Sequence, residues 1–278
     1  MKKLEISIPI EQSNTLPIPL IQDACELTTS QIKQAVDKGA LWLTRGKYTQ
    51  RLRRVKKLLQ IGDIIHFNYD EQVLSQQVPD AKLLLDKKDY SIWYKPYGMW
   101  SQGSKWSDHC TIARVAEKTL QRNSFIIHRL DRAASGIIVV GHSKKATQAF
   151  GKLFEQHSLK KIYHIIVHGK YLGIKQDVKL DIDEKSAHSV FSHLAYDPVT
   201  DQTLVEVEIK TGRKHQIRKH AALLGFPVFG DRLHGDTSKS YLESENLALC
   251  AVELSFTCPI SGEFIDVLLP ASLSPTLA

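Results

Sequence analysis

The stretch Ile127-His128-Arg129-Leu130-Asp131-Arg132 sets one carboxylate between two guanidinium groups, just ahead of the short β-branched run at 136–140. Cationic neighbours favour the charged carboxylate, and a positioned, partly desolvated anion can serve as a nucleophile or a base. A salt-bridged aspartate that orders a turn is the plainer reading of the same residues, because structural ion pairs perturb acids too. A second stretch, Lys210-Thr211-Gly212-Arg213-Lys214-His215-Gln216-Ile217-Arg218, gathers donors where a strand turns into a helix. Backbone N–H groups at such a turn also favour anions, and His215 and Arg218, three apart, share a helix face. The segment reads equally as a phosphate- or carboxylate-binding turn and as a solvated basic helix end. In Lys161-Ile162-Tyr163 the aromatic lies on a strand. Core packing is its ordinary role there, and stacking against a nucleobase its functional one.

These groups need a scaffold, and the chain's texture changes twice along its length. Residues 20–70 form a small basic unit. Thr29 or Ser30 caps a helix that ends near Gly39, a strand follows at 40–43, and Ile61-Gly62-Asp63 turns into another strand. Between them run Arg45, Lys47, Arg51, Arg53, Arg54, Lys56 and Lys57 with no acid among them. This is a tract suited to RNA phosphates, or else a solvated basic face. Residues 71–88 read as a linker with an ordered Leu83-Leu84-Leu85 run. From Asp89 onward, strands outnumber helices. Gly136-Ile137-Ile138-Val139-Val140 has the apolar character of a central strand, and Ser143 caps a helix carrying Phe150. Residues 161–167 and 204–209 return as strands. His215 to Leu224 suits a helix with Ile217, Ala221 and Leu224 inward and Gly225 as its stop. Runs of strands with few helices indicate an α+β fold with a mixed, mostly antiparallel sheet. Two domains are expected, 1–80 and 81–278, and no Gly-x-Gly-x-x-Gly follows a strand to suggest dinucleotide binding.

Composition narrows the classes further. The 278 residues are 42% hydrophobic and 24% charged, as in ordinary globular proteins, which excludes general disorder and fibrous folds. Lysine and arginine number 37 against 30 acids, a formal +7 that hints at a polyanionic partner. Four cysteines without a Cys-x-x-Cys pair read as reduced thiols, not as a metal site or a disulfide framework. The N-terminus has no signal-peptide pattern and no apolar run is long enough to span a bilayer, so the expected location is the cytoplasm, without membrane association.

Taken together and in order, His128-Arg129-Leu130-Asp131, Lys161-Ile162-Tyr163 and Gly212-Arg213-Lys214-His215-Gln216-Ile217-Arg218 resemble the motifs of the RluA-type pseudouridine synthases. Lys95-Pro96-Tyr97-Gly98, Gly230-Asp231 and the ending from Leu247 through Glu263 fit the same pattern, over about residues 89–270. The basic unit resembles the small S4-type RNA-binding domain. The resemblance implies that Asp131 is the catalytic carboxylate, that Tyr163 stacks on the target base and that Arg218 pairs with Asp131. It implies that Arg129 fills the space left by a flipped nucleotide. His128, Arg132, Lys161, Arg213, His215, Gln216 and Ile217 are then expected to line the substrate site. No metal or organic cofactor is expected, and the partner is RNA, ribosomal or transfer, with a monomer as the default. The reaction would isomerise uridine to pseudouridine, with Asp131 either attacking C1′ or removing the 2′ proton. Rival readings are a non-catalytic RNA-binding protein on the same scaffold and a nucleosidase releasing uracil. The chain departs from the family's usual pattern at Ala134 and Lys214, where threonine is common, and at His234, near which an aromatic is common.

Overall fold

The computed structural model describes residues 2–235 and 246–277. The chain divides into two compact units, one built from the chain up to Val78 with Gln102–Val115, the other from Pro79–Ser101 with the chain from Ala116 onward. The expected division at 80 and 81 is therefore not a single cut: residues 102–115 lie within the second expected span but pack with the first. The physical reason is Asp108, which ion-pairs with Arg51 at 3.2 Å and with Arg53. The acid missing from the basic tract is supplied by a segment some fifty residues later.

The first unit is a four-stranded antiparallel sheet covered by helices. Its elements are β1 (Lys3–Pro9), α1 (Pro17–Asp23), α2 (Thr29–Asp37), β2 (Leu41–Arg45), β3 (Tyr48–Arg51), β4 (Ile64–Asp70) and the single turn α3 (Glu71–Leu74), with strand order β1-β4-β2-β3. Helix α2 begins one residue earlier than expected because Thr28 and Gln31 form a reciprocal capping box that satisfies two otherwise orphaned N–H groups. Its Ile32, Ala35 and Val36 join Ile21, Leu41, Leu43, Ile65 and Phe67 in a core of their own.

The second unit is built on one large sheet. It comprises β5 (Lys82–Asp86), β6 (Tyr90–Lys95), the helix α4 (Ile112–Leu120) whose start belongs to the first unit, β7 (Phe125–Ile126), β8 (Ser135–Gly141), α5 (Lys144–Glu155) and β9 (Leu159–His168). Beyond these lie β10 (Gln176–Val178), β11 (Ser189–Asp197), β12 (Gln202–Ile209), α6 (Gln216–Leu223), β13 (Leu249–Thr257) and β14 (Phe264–Leu268). Among the described residues the strand order is β10-β11-β12-β9-β13-β8-β6-β5, with β14 on β13 and β7 on β8. Every pairing is antiparallel except β13 with β8. This is the mixed, mostly antiparallel α+β architecture expected. Apolar β8, buried along nearly its whole length, lies centrally, and the alternation of β12 buries Val205, Val207 and Ile209. No helix among the described residues is long and apolar enough to cross a membrane.

Register across the sheet centre brings distant residues into one row. Lys95 pairs with Gly136, Gly136 with Ala251 and Ala251 with Tyr163, so the row crosses β6, β8, β13 and β9. Residues paired side by side project to the same face. Lysine and tyrosine thus flank a glycine and an alanine, leaving a shallow floor just after the Asp131 loop. Gly136 is obligatory there: its φ is +113°, and a Cβ would stand 2.3 Å from the Ala251 backbone.

Candidate active site

Asp131 sits in a short loop ending in β8, and both its neighbours are pinned. Ser101 Oγ donates to the Leu130 carbonyl at 2.7 Å and accepts from the Leu130 N–H at 3.0 Å. Gly98 N–H donates to the Arg132 carbonyl at 2.9 Å, while Arg132 Nε donates back to the Gly98 carbonyl at 3.1 Å. Buried Lys95 completes the clamp, its Nζ donating to the carbonyls of Pro96, Met99 and Ala134 at 3.1, 2.9 and 2.6 Å. Burial pulls this ammonium down to about 7, against the charge of Asp131. The loop's backbone is fixed while the carboxylate itself stays one-third exposed.

Arg218 reaches Asp131 from α6, its Nη1 lying 3.5 Å from Asp131 Oδ2. Its firmer partner is Asp231, which takes Nε at 2.7 Å and Nη2 at 2.5 Å in a forked pair. Asp231 is itself buried and accepts the N–H groups of Leu233 and His234. Burial opposes charge on both partners, but their contact holds Arg218 above and Asp231 below its ordinary range. The guanidinium is thus immobilised by one carboxylate and presents its remaining edge to the other. The resemblance implied only the contact with Asp131, and Gly230-Asp231 entered it as a motif with no partner assigned. An acid at a tight, glycine-bounded turn opposite a buried arginine was the available signal.

His215 precedes α6 in the left-handed region at φ 56°, an uncommon and strained conformation for a non-glycine residue. Its Nε2 is 3.7 Å from Asp131 Oδ2, and its Nδ1 is 2.9 Å from His234 Nε2. Burial lowers the affinity of both imidazoles for a proton, with Asp131 and, for His234, also Asp231 acting in the opposite sense. Tyr163 is buried, and burial together with the Asp131 charge pushes its phenol up. Cys250, also buried, is pushed up to about 11 and so stays a thiol.

Several residues expected to line the site have other tasks. Gln216 is buried and fully engaged, donating to the His188 carbonyl and Ser189 Oγ and accepting from Thr211 and the Arg213 N–H. These bonds hold the α6 turn, and Ile217 is core. His128 accepts the Val139 N–H at 3.0 Å and stacks on Phe154 at 4.2 Å, so its ring braces β8. Arg213 donates to the Ser186 carbonyl. Lys161 lies buried 5.9 Å from the Phe154 ring, and desolvation lowers it to about 8. Arg132 also reaches over Trp100 at 5.0 Å, and Arg129 is exposed.

The basic tract of the first unit divides in the same way. Arg45 forks onto Asp63 at 2.7 and 2.6 Å. Arg51 bonds the Gly39 carbonyl and lies over Trp42, and Arg53 bonds the Asp37 carbonyl, besides their shared Asp108. Lys47, Arg54 and Lys56 are exposed and Lys57 is half-buried.

An α+β sheet of this order, with a clamped acidic loop entering its central strand, has the fold of a pseudouridylate synthase catalytic domain. A solved structure, human RNA pseudouridylate synthase domain containing 1, superposes with a TM-score of 0.59 at 20% identity, covering 70% of this chain and 85% of that one. The chain belongs to the RNA pseudouridylate synthase family, of the RluA type, whose sequence model matches residues 89–223. A relative named tRNA pseudouridine synthase C, from Salmonella typhimurium, is 32% identical over 218 residues, spanning 66% of this chain and 81% of the relative. Ribosomal large subunit pseudouridine synthase D of Zymomonas mobilis is 28% identical over 160 residues, or 51% and 50% of the two chains. The protein is an RNA pseudouridine synthase, an isomerase acting on RNA.

Proposed function

We propose that this enzyme isomerises a uridine of structured RNA, transfer or ribosomal, with Asp131 as the group that acts on the ribose. The observation that supports this is the Asp131–Arg218–Asp231 arrangement, in which a part-exposed carboxylate faces a cation locked by a second, buried carboxylate. The target nucleotide leaves the helical stack, at a cost of a few kcal/mol offset by contacts to the flanking backbone. Asp131 then attacks C1′, or removes the 2′ proton. On either route the N1–C1′ bond breaks, the uracil turns within the site and C5 bonds to C1′. Tyr163 supplies the apolar face on which the base is held, and exposed Arg129 enters the vacated stack. Keeping the detached base enclosed favours its return over hydrolysis. Lys47, Arg54 and Lys56 of the first unit, which we read as an S4-like RNA-binding domain, contact phosphates.

The test is conversion of uridine-containing RNA by the purified protein, read as pseudouridine without free uracil. Asp131→Asn is expected to abolish conversion while leaving RNA affinity within a few-fold of wild type. Near-normal turnover by that variant overturns the assignment, and release of uracil would mark a nucleosidase instead.

A further inference from the structure

The reaction carries a proton step to which the action of Asp131 at the ribose assigns no base. Once C5 has bonded to C1′, C5 still carries its hydrogen. That proton must leave so that its electron pair can restore the C5=C6 bond, while the displaced N1=C6 pair takes a proton at N1. Tyr163 is a poor acceptor, since its buried phenol is already held in the protonated form by burial and by the Asp131 charge. A neutral imidazole beside C1′ is suited to this step, since its ordinary pKa lies near the working pH.

We propose that the His215–His234 pair is a proton relay that takes the C5 proton and carries it to solvent. The geometry places His215 Nε2 3.7 Å from the Asp131 oxygen that also faces Arg218. When Asp131 acts at the ribose, C5 in the new linkage is one bond from C1′, so a nitrogen beside that carboxylate is also near C5. His215 Nδ1 is 2.9 Å from His234 Nε2, so a proton gained at Nε2 can be balanced by transfer of the Nδ1 proton to His234. His234 then gives the proton on its other nitrogen to water, and N1 takes one from water. No proton or electron pair is gained or lost overall. The charged groups bearing on the pair are Asp131, Asp231 and Arg218, with Lys214 and Lys219 on the turn and helix. Burial keeps both rings neutral at neutral pH, the form in which His215 accepts. His215 itself holds a left-handed backbone, a strained conformation at the position where the relay begins.

The relay rests on Asp131 acting at the ribose, and the test separates the two. Single-turnover rates are measured with RNA carrying hydrogen or deuterium at C5 of the target uridine. His215→Asn keeps a residue type that tolerates the left-handed backbone, and His234→Phe keeps a ring; neither can pass a proton. Both variants are expected to slow pseudouridine formation roughly 10²-fold and to show a larger C5 isotope effect than wild type, with RNA affinity unchanged. A slowed variant without a raised isotope effect would mean that the pair only shapes the site, and the relay would be rejected. An unslowed variant rejects it as well. Turnover by Asp131→Asn would instead sink the assignment of Asp131, whatever the isotope comparison shows.

Discussion

At the residue scale, the site works by fixing one charge with another. Asp231 commits its carboxylate to Arg218, so that the guanidinium cannot swing away and Asp131 keeps a cation at 3.5 Å. Replacing Asp231 by Asn leaves Arg218 buried without its closer counter-ion. Breaking such a pair from one side costs about 3–5 kcal/mol, because the remaining charge stays desolvated. Asp231→Asn is therefore expected to lower the urea midpoint markedly and to reduce single-turnover activity, since Arg218 collapses onto Asp131. Equal stability and activity would show that the fork is dispensable. His128 offers a second residue-level test. Burial, aided by the Lys161 charge, lowers it to about 3 in the folded protein from an ordinary 6.5. Between those values the unfolded chain binds the extra proton, so stability falls as pH drops from 6.5 toward 3, by up to about 1.4 kcal/mol per pH unit from this group. His128→Gln should flatten that slope in urea titrations taken across the range.

At the scale of elements, the candidate active site is a consequence of register. The row Lys95–Gly136–Ala251–Tyr163 exists because β8 and β13 run parallel at the centre of an otherwise antiparallel sheet. Their backbones approach closely only because position 136 lacks a side chain. Gly136→Ala introduces a Cβ 2.3 Å from both the nitrogen and the oxygen of Ala251, at a φ of +113°. The expected result is a loss of at least about 2 kcal/mol of stability and a still larger proportional loss of turnover, because the Asp131 loop shifts away from Tyr163. Urea unfolding and single-turnover assays on one preparation decide this. A variant as stable and active as wild type would mean that the close approach is not required.

At the scale of the whole molecule, net positive charge is a poor guide to which cations meet RNA. Arg45, Arg51 and Arg53 are held by Asp63 and Asp108, so their replacement should destabilise the first unit. Lys47, Arg54 and Lys56 are exposed. Changing those three to Gln is expected to weaken RNA binding and to reduce the slope of log affinity against log salt by about 2–3, with unfolding unchanged. An unaltered slope would place the RNA on another face. Ser101, which pins the Asp131 loop through Leu130, is followed directly by the segment 102–115 that packs with the first unit.

The linear order of residues by itself determined the family, the α+β class, the acidic loop and most of the strands, because alternation, caps and β-branched runs are local signals. Ser143 and Gly225 punctuate helices as their types dictate, and the motif around Asp131 is contiguous. Tertiary structure alone decided which of many charges are free. Asp231 lies 13 residues from Arg218, and Asp108 lies 55 from Arg53; no periodicity links them. It also decided that Gln216 and His128 brace the scaffold while His215 and His234 meet beside the acid. Pairing of distant polar groups is set by burial, which makes each unpaired charge unfavourable, and burial is a property of the folded chain.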